Sequence, residues 1–211
     1  MISPIAPILA IAPSDPSDEA IKQAIGVLAK GGVIAFPTDT LYGIGCEFGQ
    51  RRAIERIHKI RDIDGAVRPL TFLMPDIGEV AHYATVNEAA YKILNRIFPG
   101  PYCAELIASN SVPAGFTFEE RRTIGVRIPD TILCEKMLWG LGRPILTATA
   151  KTKDGRTLTT ALDIQNELGT EIDLIIDGGT LAGPPSTVVS LADDWVTVLR
   201  EGRGPASKIL M

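Results

Sequence analysis

Apolar residues recur along this chain with both the helical and the strand period, and the two periods alternate. Four of them lie at helical spacing and predict an amphipathic helix: Ile21, Ala24, Ile25 and Leu28. Asp15 and Pro16 predict its start, as N-cap and first helical residue, and the pair Gly31-Gly32 predicts its end. The next apolar run, at residues 33–36, is short and continuous, which is typical of a buried strand.

The rest of the chain continues this alternation. Further strands are predicted at residues 8–11, 70–74, 104–108, 123–128, 144–149 and 174–176. Further helices are predicted at residues 51–59, 77–81, 87–98, 132–141 and 161–168. A turn is predicted at 37–43, and a closing antiparallel pair at 187–191 and 195–199 about the turn Ala192-Asp193-Asp194. We therefore expect a single α/β domain, residues 1–211, with a mixed sheet.

Composition and charge limit the function only loosely. Hydrophobic residues make up 45% of the 211 residues, and the formal net charge is -4, so a basic binding site has to be local. The segment at the start lacks a basic region and is interrupted by prolines, and no apolar run approaches membrane-spanning length. We expect a cytoplasmic protein without a membrane partner.

The cysteines, histidines and tryptophans do not predict a metal site, a disulfide framework or a ligand contact. The cysteines, Cys46, Cys103 and Cys134, are odd in number and far apart, which predicts neither a zinc site nor a disulfide framework. His58 is expected on a helix surface and His82 near a helix end, and two histidines are too few for a His-rich metal site. No metal site is predicted. The tryptophans, Trp139 and Trp195, are expected in the core.

Two segments in the first third of the chain carry candidate ligand contacts. Thr40 lies where a predicted strand ends in hydroxyls, a carboxylate and glycines, and Gly43 and Gly45 would let the backbone approach a ligand. A plain turn with capping hydroxyls is the alternative. Lys59 and Arg61 follow at the end of a predicted helix, where both cations could meet one anion. A solvated basic helix face is the alternative there.

The later strands add further candidates. Alternation along strand 123–128 puts Thr123, Gly125 and Arg127 on one face, and a buried arginine needs a partner, either a ligand anion or an internal ion pair. Hydroxyl groups and cations at the ends of other strands are further candidate ligand contacts: Thr149, Lys151, Ser186 and Arg200. The chain has no P-loop, no GxGxxG after a strand and no GxSxG elbow. Such a site works by positioning and charge neutralisation.

Taken in order, these segments resemble the YrdC-like family. The similar pieces run from GGVIAFPTDTLYGIGC through KIR, RPLTFLM, TIGVRIP, PILTATA, DLIIDGG and STVV to VLREG, about residues 15–204. The resemblance implies a twisted mixed sheet with flanking helices and a concave basic cleft. In the best-known branch it also implies an L-threonylcarbamoyladenylate synthase, a nucleotidyltransferase that uses threonine, bicarbonate and ATP for tRNA modification.

The resemblance also assigns roles. Substrate contacts are implied for Thr40, Arg127 and Ser186. Nucleotide contacts are implied for Lys59, Arg61, Thr123, Thr149 and Arg200, with Lys59 and Arg61 also acting in catalysis. Mg²⁺ would be carried in with ATP. Family members are also described as binding double-stranded RNA, so RNA is a candidate partner.

Several residues depart from the synthase pattern. Leu73 stands where synthases commonly have a histidine near threonine, and Cys103 and Lys151 replace a threonine and an asparagine. The loop 62–68 is longer than usual. These features are similar to the YciO-like branch and keep two alternatives open. One is a non-catalytic RNA- or nucleotide-binding protein, and the other is an enzyme for another amino acid, since Leu73 would make the pocket more apolar.

Overall fold

A computed structural model of the chain describes residues 4–61, 69–117, 121–193 and 195–210. Within these ranges ten strands form one twisted mixed sheet. In chain order they are β1 (Ile8–Ala10), β2 (Ile34–Pro37), β3 (Tyr42–Glu47), β4 (Thr71–Leu73), β5 (Tyr102–Ile107), β6 (Thr123–Arg127), β7 (Ile145–Thr149), β8 (Leu174–Asp177), β9 (Thr187–Ser190) and β10 (Thr197–Arg200). The α/β fold with a mixed sheet is confirmed.

The sheet order differs strongly from the chain order. Across the sheet the strands run β1-β8-β2-β3-β7-β4-β6-β5-β9-β10. Four neighbouring pairs are parallel, namely β1 with β8, β2 with β8, β4 with β6 and β5 with β9, and the others are antiparallel. The predicted closing pair is β9 and β10, although Asp194 of its turn lies outside the described residues. β7 enters the middle of the sheet, between β3 and β4.

Seven α-helices are described, and most begin at a side chain that caps them. They are α1 (Asp18–Ala29), α2 (Arg51–Ile60), α3 (Ile77–Tyr83), α4 (Glu88–Ile97), α5 (Ile132–Leu141), α6 (Ala161–Leu168) and α7 (Ser207–Leu210). The N-cap side chains of α1 and α3 to α6 accept hydrogen bonds from the first turn: Ser17, Asp76, Asn87, Thr131 and Thr160. None of the described helices combines the length and apolar character that crossing a bilayer requires.

The helices divide between the two faces of the sheet. On one face α2, α4 and α6 pack over the larger apolar cluster, which includes Ile44, Phe72 and Val126. On the other face α1 and α5 pack over a smaller cluster with Phe36 and Ile145. Because side chains alternate along a strand, each strand contributes to both layers.

Three local predictions were wrong. Ser17, not Asp15, caps α1, because the serine hydroxyl accepts from the amide of Ala20 at 3.3 Å. The predicted turn at 37–43 was wrong in its bounds, because the turn is confined to residues 38–41 and Tyr42 begins β3, which pairs with β2 as a hairpin. Its glycines had indicated a loop, but they are tolerated in a central strand where neighbouring side chains fill the space.

The tryptophans are the third correction. Trp139 is 58% exposed and Trp195 is 67% exposed, so neither is a core residue. Trp139 lies on the outer side of α5, away from the buried Leu138 and Met137 that face the sheet. The histidines lie as expected, with His58 half-buried on α2 and His82 exposed near the end of α3.

Candidate functional site: an arginine-lined cleft

The sheet face under α1 and α5 is only partly covered by them. Direct strand pairing puts Ile34 opposite Gly45, Gly45 opposite Thr147, and Leu73 opposite both Ile145 and Arg127, so these residues share this face. We call the apolar residues packed under the helices the covered half: Ile34, Phe36, Leu73 and Ile145. The remainder, the open half, forms the floor of a cavity of about 240 Å³ that we call the cleft.

Six of the eight predicted ligand residues line the cleft. They are Thr40, Arg61, Arg127, Thr149, Ser186 and Arg200. Three guanidinium groups thus surround one cavity in a chain whose formal net charge is -4. The fold therefore concentrates positive charge locally, as an anion-binding cleft requires.

Two glycines of the cleft floor lie in close contact with neighbouring side chains. A Cβ atom on Gly43 would lie 2.8 Å from Thr147 Oγ1, and one on Gly125 would lie 3.2 Å from Cys103 Sγ. A larger residue at either position would therefore displace a side chain that lines the cleft. Gly45 has a different role, because a Cβ there would lie 2.9 Å from the Ile145 side chain in the covered half.

Arg127 is buried and already paired. Its guanidinium forms a salt bridge with Asp39, and Nη1 donates to Thr40 Oγ1 at 3.3 Å. The internal ion pair, which the sequence had left as an alternative, is therefore present. The pairing is incomplete, because Arg127 Nε and Asp39 Oδ2 are buried without a hydrogen-bond partner among the described residues.

The turn that carries Asp39 is held from three directions. Thr38 Oγ1 donates to the carbonyl of Leu41 at 2.7 Å, which is the capping role expected of a turn hydroxyl. Arg203 Nη1 donates to the carbonyl of Asp39 at 2.7 Å, and Nη2 donates to the carbonyl of Ala182 at 2.9 Å. Arg127 holds the carboxylate from the sheet side. Both sequence interpretations of this segment therefore apply, because Thr38 closes the turn and lines the cleft together with Thr40.

Lys59 does not join the cleft, so the predicted convergence of Lys59 and Arg61 was wrong. Arg61 is the C-cap of α2 and lines the cleft, whereas Lys59 lines a separate groove of about 650 Å³ beside residues 4–7 and 170–173. Helical residues two positions apart point to different sides. Arg56 lies in the same groove as Lys59 and pairs with Asp173 at 2.8 Å, as a surface cation would. The loop 62–68 lies outside the described residues.

Thr123 is also not in contact with the cleft space. It is buried within the sheet, and its hydroxyl donates to Glu105 Oε1 at 3.1 Å. Glu105 itself lines the cleft. Sequence reasoning missed Glu105, although an acid within the apolar strand 102–107 is the same signal that had identified Arg127 on β6.

Arg200 and Ser186 form the far wall. Arg200 Nη2 donates to the carbonyl of Ser186 at 2.9 Å, which ties β10 to the residue before β9. A register shift between Val198 and Arg200 marks an irregularity in this hairpin. Arg200 is exposed enough to meet a ligand from solvent.

The residues that depart from the synthase pattern lie in different places. Cys103 lines the cleft, and burial raises the pKa of its thiol, so the group stays neutral near pH 7. Leu73 is fully buried in the covered half and does not line the cleft, so the predicted effect of Leu73 on the pocket was wrong. Lys151 is exposed beyond the end of β7 and does not line the cleft either.

Comparison with known proteins places this geometry in a family. A family model for the Sua5/YciO/YrdC domain, described as "Telomere recombination", matches residues 26–202. The chain belongs to this family. It is 35% identical over 202 residues to the uncharacterised protein YciO of Escherichia coli, covering 95% of this chain and 97% of that protein. The crystal structure of E. coli YciO superimposes with a TM-score of 0.89, covering 97% of this chain and 100% of that one.

Relatives named as synthases also match over most of the chain. A putative threonylcarbamoyl-AMP synthase of Methanocaldococcus jannaschii is 30% identical over 199 residues, covering 92% of each protein. The structure of P. abyssi Sua5 in complex with L-threonine is 27% identical with a TM-score of 0.84. It covers 97% of this chain but only 60% of that longer chain. The family therefore includes proteins named as synthases and YciO proteins.

Proposed function

We propose that this protein makes threonylcarbamoyl-AMP, or a close analogue, from ATP, bicarbonate and a small amino acid such as threonine. One observation carries the proposal: three arginines and several hydroxyl side chains, among them Thr40, Thr149 and Ser186, converge on one cleft over an open sheet floor. The likeness to Sua5 bound to L-threonine supports an amino acid as one ligand. The proposal includes a cytoplasmic location and a role of the product in tRNA modification, as the resemblance to the synthases implies.

The arginines suit the charge of these substrates. Arg61 and Arg200 both line the cleft and would bind the phosphates of ATP, with Mg²⁺ arriving bound to the nucleotide. Arg127 lies deeper and would meet the carboxylate of the amino acid through its guanidinium group, beside the hydroxyls of Thr40 and Ser186. Thr149 would contact the nucleotide from the end of β7.

The proposed chemistry needs positioning more than a nucleophilic side chain. The amine of the amino acid loses a proton and forms an N–C bond with carbon dioxide derived from bicarbonate, which gives a carbamate. A carbamate oxygen then attacks the α-phosphorus, and the bond to pyrophosphate breaks with its electron pair leaving on pyrophosphate. Negative charge accumulates on the phosphoryl oxygens, where guanidinium groups stabilise it most.

The test is pyrophosphate release by purified protein with ATP, Mg²⁺ and bicarbonate, with and without each amino acid. We expect release that depends on threonine or a similar small amino acid. Arg200→Ala should lower it by about tenfold or more, the effect of losing one charged hydrogen bond. Arg56→Ala, which removes an arginine of the separate groove, is the matched control and should leave release unchanged. Absence of amino-acid-dependent release at saturating ATP would overturn the proposal.

The placement of Lys59 favours a second candidate, binding of RNA or a nucleotide without catalysis. Lys59 lines the separate groove, so among the described residues it does not bring to the cleft the ammonium group that the resemblance assigns to the triphosphate. Fluorescence anisotropy with labelled tRNA at 50 and 200 mM salt addresses this function. Affinity that falls steeply with salt, without pyrophosphate release, would favour it over the synthase.

A further inference from the structure

Glu105 is the single carboxylate among the described residues that line the cleft. It lies on β5, directly opposite Gly125 of β6 and beside Ser190 of β9. Its side chain is half-buried in the open half of the floor. An acid in a cavity that three arginines surround works against the binding of anions, so its presence needs a reason of its own.

The carboxylate of Glu105 is fixed by one contact and is otherwise open. Thr123 Oγ1 donates to Oε1 at 3.1 Å, which orients the group from a buried residue of the neighbouring strand. In the described parts of the chain no cation forms a salt bridge with Glu105, and Oε2 accepts no hydrogen bond. The glutamate is therefore not the counter-ion of a cleft arginine.

Gly125, directly opposite Glu105 on β6, adds no side chain to the cleft floor beside this carboxylate. A Cβ atom on Gly125 would lie 3.2 Å from Cys103 Sγ and 3.7 Å from Thr71 Oγ1, so a thiol and a hydroxyl lie close to the glycine. Together with Glu105 they give this part of the cleft a thiol, a hydroxyl and a carboxylate. These groups suit a small ligand group that donates hydrogen bonds better than they suit a phosphate.

We infer that Glu105 is a specificity-determining residue that binds the ammonium group of an amino-acid ligand. A half-buried carboxylate without a counter-ion is stabilised most by a cation that also donates hydrogen bonds. A cleft that is lined by three arginines and by this carboxylate is complementary to a zwitterion, in which both charges lie a few bonds apart. The inference rests on the proposed function for the identity of the ligand, and it adds the residue that selects a free amine.

The experiment compares ligands with and without an amine. Calorimetry would measure binding of L-threonine, of 2,3-dihydroxybutanoate, in which a hydroxyl replaces the amine, and of 1,3-diaminopropane as a probe with amines and no carboxylate. The variant is Glu105→Gln, which keeps the size of the side chain and an acceptor for Thr123. The control is Glu135→Gln, an exposed glutamate of α5 outside the cleft. Thermal unfolding of both variants checks that they remain folded.

The expected pattern is a selective loss. Glu105→Gln should weaken binding of L-threonine and of 1,3-diaminopropane by about tenfold or more, the scale of one charged contact, and leave 2,3-dihydroxybutanoate unchanged. The control variant should bind all three probes like the wild type. ATP affinity should not fall in either variant.

The outcomes separate this inference from the proposed function. If threonine-dependent pyrophosphate release is the same in Glu105→Gln as in the wild type, the inference is overturned and the synthase proposal stands. If amine binding depends on Glu105 but no pyrophosphate is released, the synthase proposal is overturned and the inference stands. Loss of ATP or Mg²⁺-ATP binding in Glu105→Gln, with amine binding intact, would assign the carboxylate to the nucleotide and overturn the inference. Failure of the wild type to bind either amine probe would overturn both.

Discussion

The covered and open halves of one sheet face are built from the same strands, but the covered half packs under helices and the open half lines the cleft. Along β4, Leu73 is sealed under α1 and α5, while Thr71 two residues earlier lines the cleft. Along β7, Ile145 belongs to the covered half, while Thr147 and Thr149 line the cleft. The side chains change from apolar to polar between two residues that are neighbours on the same face of a strand, two positions apart in the chain. Helix cover therefore decides which part of this face becomes a site.

Arg127 marks the boundary between the two halves. It pairs across the sheet with Leu73, a fully buried residue, yet it also lines the cleft. Its charge is compensated by Asp39 from the turn after β2 rather than by anything on its own strand. A buried charge at such a boundary is stable only if this partner stays in place. The largest effects of substitution are therefore expected here.

Of the substitutions considered, removal of the Arg127 side chain is expected to destabilise the protein most. Arg127→Ala leaves the buried Asp39 without its counter-ion and should lower the free energy of unfolding by about 3–5 kcal/mol. Denaturant unfolding measures the loss. In the double variant with Asp39→Asn, part of this loss should be recovered, because no unpaired charge remains. Additive effects of the two substitutions would show that the pair is not coupled.

A large-to-small change tests the difference between the two halves directly. Leu73→Ala should lower the free energy of unfolding by about 2–5 kcal/mol, because the substitution leaves an empty space between the sheet and α5. Val188→Ala, a half-buried residue of the cleft wall, should cost about 1 kcal/mol or less, because solvent already reaches that site. Equal losses in the two variants would mean that the open half is packed like the covered half. For the same reason, Leu73→His should destabilise the protein rather than improve threonine binding.

Arg61 tests whether the open half binds phosphate. Arg61→Ala should weaken ATP binding by about 1.5–3 kcal/mol, the scale of a charged hydrogen bond, without loss of the fold. Isothermal calorimetry gives the affinity. Arg52→Ala, an exposed residue of α2 outside the cleft, is the matched control and should bind ATP like the wild type. Unchanged ATP affinity in Arg61→Ala would make Arg61 an ordinary surface cation.

The smallest effect is expected where an ion pair is exposed rather than buried. Arg51 and Glu55 are one helical turn apart on α2, with Nε and Oε1 3.1 Å from each other and both side chains largely in solvent. Arg51→Ala should change the free energy of unfolding by about 0.5 kcal/mol or less, and less at high salt. Denaturant unfolding at two salt concentrations is the measurement. A loss as large as that of Arg127→Ala would contradict the importance given to burial.

Local patterns determined most of the secondary structure of this protein. The predicted helix 132–141 and helix 161–168 coincide with α5 and α6, because the 3.6-residue period and the capping threonines act within one turn of chain. β3 was missed for an equally local reason. Its glycines indicate a turn, and only the side chains of Phe36 and Ile145 from neighbouring strands make them suitable for a sheet.

Residue type and order also determined the family and six residues of the cleft. Thr40, Arg127 and Ser186 are far apart in the chain, but each ends or lines a strand whose edge faces the same cavity. Strand alternation placed Thr123, Gly125 and Arg127 on one face, as the structure has them. The role of each residue in binding remains a prediction.

Only the tertiary structure decided which of these groups meet. The salt bridge of Arg127 joins residues 88 positions apart and depends on β3 and β7 entering the sheet between β2 and β4. Lys59 lies outside the cleft because α2 continues to Ile60, so that the Lys59 side chain lines another groove. Glu105 lies in the cleft because β5 pairs with β6. A sequence specifies how each residue faces along its own element, but the distance between two elements depends on the packing of the whole sheet. That packing is why an arginine and a glutamate from two separate segments line one cleft, and why an aspartate from a third segment pairs with that arginine.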